Sequence, residues 1–502
     1  MAGSRRSVDR HPSRAGSPPG AGVNVSTLTR WVRAPRIEAL FAAVLVLFGF
    51  RLGVRPIGDN SMFSHLRTGI DAVSGHGIPR MDPYSFTAAG EPWTVQSWLP
   101  EWTYGWAHSL GGYRLVVLEQ AFLCAGLAWL IVRLSRSSTP LRTTLGALVA
   151  ICIGAPYWSP RPLLFGLVLM ALLITVVENR RSPWLLIPIV WLWVQCHGSF
   201  PLGLLWLGAR GFGQWLDWKA WPYDTMRHIG AFAVGLAVAV VNPLGARLLV
   251  FPFTIFEKRA NFTSIVEWRS PDFNSAEGRF ALVFLAVALV ILARSKVSWR
   301  DLVPVVGFLA MSLTAMRNLP VTAVVLAPVL GRALRRTETS SRSGASAETP
   351  GRQRINRAVL VCILAMFVLF AASIWTRPPI AEAAYPEKAV TFLDQEGLLV
   401  APHVLAQQDF VGNYLTLRFG RRVPVFIDDR YDMYPAEVAK DYRTMKAGGA
   451  EALSLLNKYE IDVVLWNRDQ PLATVLAASE AWTQVFRDGD WVVFRRTSTL
   501  GT

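Results

Sequence analysis

Apolar residues along this chain come in long runs before any alternation appears. The first covers 37–54, and similar runs follow at about 113–134, 141–157, 161–178, 183–197, 199–214, 227–241, 278–294, 301–315, 319–334 and 358–375. A straight helix needs about 20 apolar residues to cross the hydrocarbon core of a bilayer. The pattern therefore predicts an α-helical polytopic membrane protein with about eleven transmembrane helices. Runs 183–197 and 199–214 fall short of a full crossing, which predicts tilted or re-entrant segments there.

Beyond residue 376 the period changes. Strand-like runs LLVAPHVLA, VPVFIDD, IDVVLWN and WVVFRR are separated by helical patterns such as AEVAKDYRTMKAGG and AEALSLLNKY. This predicts a C-terminal α/β domain over 376–502. The membrane domain is expected over 37–375, and residues 1–36, rich in Arg, Ser, Gly and Pro without apolar periodicity, are expected to be a disordered cytoplasmic tail. The pair Arg5 and Arg6 is no signal sequence, because the first apolar run begins too far downstream and no small-residue cleavage site follows.

Charge then orients the runs. Arg133, Arg136 and Arg142, then Arg180 and Arg181, then Arg210, Lys219 and Arg227, then Arg294, Lys296 and Arg300, and last the Arg-rich polar stretch 337–357 fall in alternate connections. Positive residues in short loops stay on the cytoplasmic side, which predicts a cytoplasmic N-terminus and an extracytoplasmic C-terminal domain at the plasma membrane. The net charge of +16 is thereby a topology signal, and no nucleic-acid partner is expected. With 52% hydrophobic and only 17% charged residues, the bilayer itself is the first partner. Cys124, Cys152, Cys196 and Cys362 all lie in apolar runs and read as small core residues.

Two regions on the outer side are long enough to carry chemistry: the loop 55–112 and everything after 376. In the loop, Met62, Phe63, Leu66, Ile70 and Val73 recur at helical spacing behind Asp59 and Asn60, both good N-caps. This predicts an amphipathic helix on the membrane surface. Trp93, Trp98, Trp102, Tyr104 and Trp106 supply the aromatic residues of a segment lying at headgroup level.

These features, an acidic residue just past the first span, a surface helix, a long first outer loop and a terminal soluble domain, resemble the GT-C class of polytopic membrane glycosyltransferases. Within it, GDNSMFSHLRTG, IPRMDPYSFT, WLPEW, SPRP, CHGSF, NPLG, EWRSPDF and MRNLP resemble an actinobacterial GT-C-like family over nearly the whole chain. Where relatives carry a second acidic residue the chain has Ser61, and where some carry His-Glu it has Gln96 and Ser97. A divalent metal is possible but not supported by that acidic pattern, and the cofactor is left unknown. The resemblance implies transfer of a sugar from a polyprenyl-phosphate donor to an extracytoplasmic glycan, lipid or protein acceptor.

An inverting transfer of that kind needs a carboxylate to draw off the acceptor proton and cations to hold the departing phosphate. Asp59 is the first choice for base, with Asp82 and Glu101 behind it. Asp59 also reads as a helix cap, Asp82 as an Asp-Pro turn, and Glu101 as a solvated position. For the phosphate, the outward-facing Arg67, Arg80, Arg161 and Arg317 have the planar fork that suits it. They read equally as interfacial anchors. His65, and His197 with Gln195, join the binding set, with helix contact as the alternative for His197. Segment 242–277, with Glu267, Trp268, Arg269 and Asp272 as its polar end, is expected to lie on the surface, where it could close over this area.

In the C-terminal domain, Asp428, Asp429, Arg430 and Asp432 of FIDDRYDMYP sit at the end of an expected strand, where open α/β sheets hold ligands. They also read as an ion-paired turn fixing the domain on the membrane body. Two other classes stay open, a transporter or flippase of a lipid-linked substrate and a non-catalytic membrane scaffold. Transport predicts internal repeats and mid-membrane charges, whereas the ionisable residues here cluster at span ends.

Overall fold

A computed structural model describes residues 35–262, 265–335 and 349–497. The N-terminal tail and most of the 337–357 stretch lie outside these residues. Each expected apolar run is helical. In chain order, α1 (Ile37–Gly53) is followed by α2 (Asn60–Asp71), α3 (Trp98–Leu134), α4 (Pro140–Gly154), α5 (Pro162–Glu178), α6 (Leu186–Cys196) and α7 (Pro201–Trp218). Then come α8 (Tyr223–Val238), α9 (Arg247–Glu257), α10 (Ala276–Ala293), α11 (Trp299–Thr314), α12 (Leu319–Ala333) and α13 (Pro350–Thr376).

Among the described residues, α3, α10 and α13 are long and apolar enough to cross a membrane by length and composition. From Ala358 onward α13 is apolar on nearly its whole surface and exposed, with Val361, Val368 and Leu369 open to the surroundings. A helix apolar all round and unburied by protein marks contact with lipid. Cys362 on α13 is exposed as well, so it is no core residue, unlike buried Cys124, Cys152 and Cys196. Helix α6 has 11 residues, which span only about 16 Å. It stops at His197, and α7 starts at Pro201, so these two short runs form a broken pair.

Helix α2 is where the sequence pattern and the structure differ most usefully. It forms as expected, with the Asp59 carboxylate accepting from the Ser61 N–H at 3.1 Å. Its apolar face lies against protein, not lipid: Met62, Phe63 and Leu66 are fully buried. Burying each such side chain stabilises by about 1.5–3 kcal/mol. The partners are α3 on one side and the C-terminal region on the other. Helices α2 and α3 meet backbone to backbone, since a Cβ on Gly69 would lie 1.8 Å from the Glu101 carbonyl oxygen and one on Gly105 2.1 Å from that of Gly69. Of the loop aromatics, Trp93 and Tyr104 are buried, while Trp102 and Trp106 keep an exposed face.

After α13 the chain adds α14 (Glu387–Gln395), β1 (Leu405–Gln407), α15 (Asp409–Phe419), α16 (Ala436–Ala447), α17 (Ala452–Lys458), β2 (Val463–Asn467), α18 (Pro471–Ala477), β3 (Trp482–Asp488) and β4 (Trp491–Arg496). The sheet order is β1-β2-β4-β3, parallel between β1 and β2 and antiparallel elsewhere. The expected strand VPVFIDD is absent from this sheet. Its Val423, Val425, Phe426 and Ile427 are buried, yet the segment is extended and pairs only through an isolated parallel bridge between Val425 and Ser85. It is apolar because the first loop covers it. Helix α15 packs on α2, with Ser64 Oγ bonded to Asn413, and Tyr385 stacks on Tyr414 with ring centroids 5.0 Å apart.

At the far end of the helical body, Arg332 forks onto Asp301 at 2.7 Å and reaches Glu178 at 2.5 Å, and Arg210 meets the same Glu178 at 2.6 Å. This network ties α5, α7, α11 and α12 together.

Candidate functional site

A cavity of about 700 Å³ opens between the helical body and the C-terminal region. Its walls come from α2, the start of α3, the junctions before α5 and between α6 and α7, segment 251–268, the turn at Arg317, and residues of α15, α16 and the FIDD segment.

Asp429 stands in this wall. Asn60 Nδ2 and Ser61 Oγ both donate to its Oδ2, the latter at 2.8 Å. No described residue donates to Oδ1. Withdrawal from bulk water, reinforced by nearby Asp409, pushes the carboxyl up to about 7, against smaller opposing effects of Ser61 and Arg161. Asp432 also lines the cavity and is raised to about 6 by burial. Asp409 is occupied on both oxygens, by Tyr431 Oη at 2.9 Å and Tyr442 Oη at 3.0 Å.

Asp59 does not line the cavity. It caps α2 through one oxygen, and the other takes Arg161 Nε at 2.5 Å. With both oxygens engaged and no face in the cavity, its place here is behind Arg161. Arg161 in turn meets Glu267 through Nη1 at 2.6 Å, and its Nη2 carries no hydrogen bond to a described residue. Arg317 makes no hydrogen bond or ion pair among the described residues. Its guanidinium lies over Trp268, 4.2 Å from the ring centroid. A cation held only by an aromatic face retains its donors for a ligand.

The remaining sequence candidates divide cleanly. His65 and Glu101 face the cavity together, joined at 2.7 Å. His197 also lines it, with Nδ1 accepting from Ser199 N at 3.1 Å, which leaves Nε2 for the proton of the neutral ring. Gln195 does not: it is fully buried and accepts from Trp98 Nε1 at 3.1 Å. Gln96 ties the CHGSF segment down, its Oε1 accepting from Gly198 N at 2.6 Å. Arg67 turns to Asp71 at 2.6 Å, and Arg80 is exposed and donates to the Pro243 carbonyl, so neither reaches the cavity.

Asp82 is not available as a base. With Asp428 it holds Arg430 in a buried triad, at 2.6 Å from Asp82 and 2.7 Å from Asp428, and the guanidinium lies over Trp93. Asp82 also accepts from the N–H groups of Tyr84 and Ser85. This is the ion-paired turn that fixes the C-terminal region on the body, and it aims the next residue, Asp429, inward. Asp428 is therefore no ligand residue.

The sequence pattern missed Arg443 and Lys446. Both line the cavity from α16, three residues apart and so on one helix face. Arg443 Nη1 is buried without a partner, and Lys446 has only the Tyr442 ring. Among the described residues, no three His, Cys, Asp or Glu side chains gather as a metal site.

No protein-family model matches this chain, and no curated protein matches it. Among solved structures it is similar to ArnT from Cupriavidus metallidurans bound to undecaprenyl phosphate, at 14% identity and a TM-score of 0.47, covering 92% of this chain and 98% of that one. It is also similar to the archaeal oligosaccharyltransferase AglB from Archaeoglobus fulgidus in complex with an inhibitory peptide and a dolichol-phosphate. There the identity is 11% and the TM-score 0.47, over 86% of this chain and 69% of that one. Likeness of this degree assigns no activity, and the reading below rests on the residues around the cavity.

Proposed function

We propose that this protein is a membrane glycosyltransferase of GT-C type that takes a sugar from a polyprenyl-phosphate donor and passes it to a hydroxyl acceptor on the extracytoplasmic side. One observation carries the reading: a single cavity joins an apolar wall, an unpaired guanidinium and an open carboxylate raised to about 7. Each part suits one part of the reaction.

Phe251 and Ile255 of α9 face the cavity, while Phe253 and Phe256 of the same helix are exposed. A helix apolar on both faces, one outward and one into a polar site, suits a substrate with a lipid tail and a polar head. Arg317 and the free Nη2 of Arg161 suit the phosphate. Asp429 suits the base, since a group titrating near the working pH accepts a proton and gives it up again at low cost.

In the transfer, the acceptor oxygen bonds the anomeric carbon as its proton passes to Asp429 Oδ1. The bond from that carbon to the phosphate oxygen breaks, and the electron pair leaves with polyprenyl phosphate, whose charge Arg161 and Arg317 receive. A single displacement of this kind inverts the anomeric centre. Asn60 and Ser61 hold the base still, and Asp59 and Glu267 hold Arg161, so little reorganisation accompanies charge development.

The test is glycan and lipid linkage analysis of a strain lacking the gene, complemented with wild type or Asp429→Asn at matched protein levels. One linkage should disappear and return only with wild type. Full restoration by Asp429→Asn would refute the assignment of the base.

A further inference from the structure

The cavity holds more cationic capacity than one donor phosphate needs. After pairing, Arg161 is matched by Asp59 and Glu267, and Arg430 by Asp82 and Asp428. Arg317, Arg443 and Lys446 remain without carboxylate partners among the described residues. Arg317 lies beside Glu267 and Arg161 on the helical body, whereas Arg443 and Lys446 belong to α16.

Contacts place Asp429 between these two groups. On one side, Asn60 and Ser61, next to the Asp59 that grips Arg161, bond its Oδ2. On the other, Asp409 and Tyr442 are its electrostatic neighbours, and Tyr442 directly precedes Arg443. Tyr442 is itself fixed, accepting from Asp409 N at 2.9 Å and donating to Asp409 Oδ1 at 3.0 Å. Helix α16 is thereby pinned at the cavity wall, and Arg443 projects from a rigid element with a buried N–H left unpartnered. A buried donor without a partner costs about 1–3 kcal/mol, which a ligand oxygen would recover.

We infer that Arg443 and Lys446 form a second anion subsite, and that the acceptor carries a phosphate or carboxylate group close to the hydroxyl that is glycosylated. This rests on the reading of the cavity as a transferase site. If Asp429 takes the acceptor proton and the donor phosphate lies at Arg161 and Arg317, the acceptor lies beyond Asp429, on the α16 side. An anion there anchors the acceptor and, by charge, keeps a second donor phosphate apart from the first. Arginine forks suit both anion types, and the additional lysine favours phosphate, the more highly charged.

The test uses the full chain in lipid nanodiscs, with inorganic phosphate as probe followed by ³¹P NMR, in wild type, Arg317→Gln and the double variant Arg443→Gln/Lys446→Gln. Wild type should show two phosphate sites. The α16 double variant should weaken one by about tenfold or more, the loss of one or two charge-assisted hydrogen bonds, and Arg317→Gln should weaken the other. Added undecaprenyl phosphate should displace phosphate from the Arg317 site alone. Unchanged phosphate binding in the α16 variant would overturn the subsite. Displacement from both sites by the lipid would also overturn it, by giving both clusters to the donor. Failure of the lipid to bind anywhere, with two phosphate sites intact, would instead strike the donor assignment and leave the subsite standing. Repeating the titration with acetate separates the two anion classes: acetate competing as well as phosphate at the α16 site assigns a carboxylate, and phosphate alone assigns a phosphate.

Discussion

Replacing Arg430 with Met tests how the C-terminal region is held and how Asp429 is aimed. Asp82 and Asp428 are fully buried, the Arg430 side chain is 7% exposed, and its donors meet both carboxylates at 2.6–2.9 Å. Methionine fills much of the volume and leaves two buried carboxylates without their cation. Removing one partner of a buried ion pair costs about 3–5 kcal/mol, a factor of about 10² to 10⁴ in the equilibrium. Contacts over Tyr84 and Trp93, with centroids at 5.0 Å and 4.6 Å, are lost as well. The assay is tryptophan fluorescence during thermal unfolding in detergent, with a double-mutant cycle. Arg430→Met should melt well below wild type, and Arg430→Met/Asp82→Asn should recover part of the loss because one stranded charge is gone. The exposed pair Arg422–Asp394 is the control, and Arg422→Gln should cost less than about 0.5 kcal/mol. Arg430→Met melting with wild type, or no recovery in the double variant, would refute the triad as the clamp.

Three further outcomes are expected. Asp429→Asn should stabilise the protein at pH 8: a folded pKa of about 7, above the ordinary aspartate value of 3.8, means the folded state resists losing this proton, so the penalty grows from about pH 4 to pH 7 and is full above it. Asp429 is only partly buried, so solvent screening limits the gain to about 1–2 kcal/mol, and comparative melts at pH 8 and pH 5 should show it shrinking at the lower pH. Gly69→Ala should fail to yield a monodisperse protein on size exclusion, since the added Cβ meets the Glu101 carbonyl oxygen at 1.8 Å. Arg332→Gln should lower the melting midpoint by breaking its bonds to Glu178 and Asp301, while transfer per folded molecule stays at the wild-type level because the network lies away from the cavity.

How much was legible in the sequence follows from which signals are local. Helix α2 and its Asp59 cap were readable because the apolar period and the cap sit within a few residues of each other. The apolar runs were readable as helices for the same reason. What covers the α2 face was not, since a buried apolar stripe looks the same against lipid as against α15. VPVFIDD read as a strand because burial on every side gives an apolar run without sheet pairing. Asp429 could be flagged but not placed: its partners Asn60 and Ser61 lie in the first loop, far away in sequence. Ser61, a departure from an acidic pattern, turns out to be a donor to Asp429. Arg443 and Lys446 carried a weaker signal, two cations on one helix face, which an ordinary solvated helix shares.

The most direct test of the central claim is the pH dependence of kcat/KM for wild type and Asp429→Asn in nanodiscs, with the donor and acceptor that the linkage analysis identifies. Wild type should rise through an inflection near pH 7 and level off, as ionised Asp429 becomes available. Asp429→Asn should lose about 10² to 10⁴ in rate and show no such inflection. An Asp429→Asn enzyme that keeps both the rate and the inflection would contradict the assignment of Asp429 as the base.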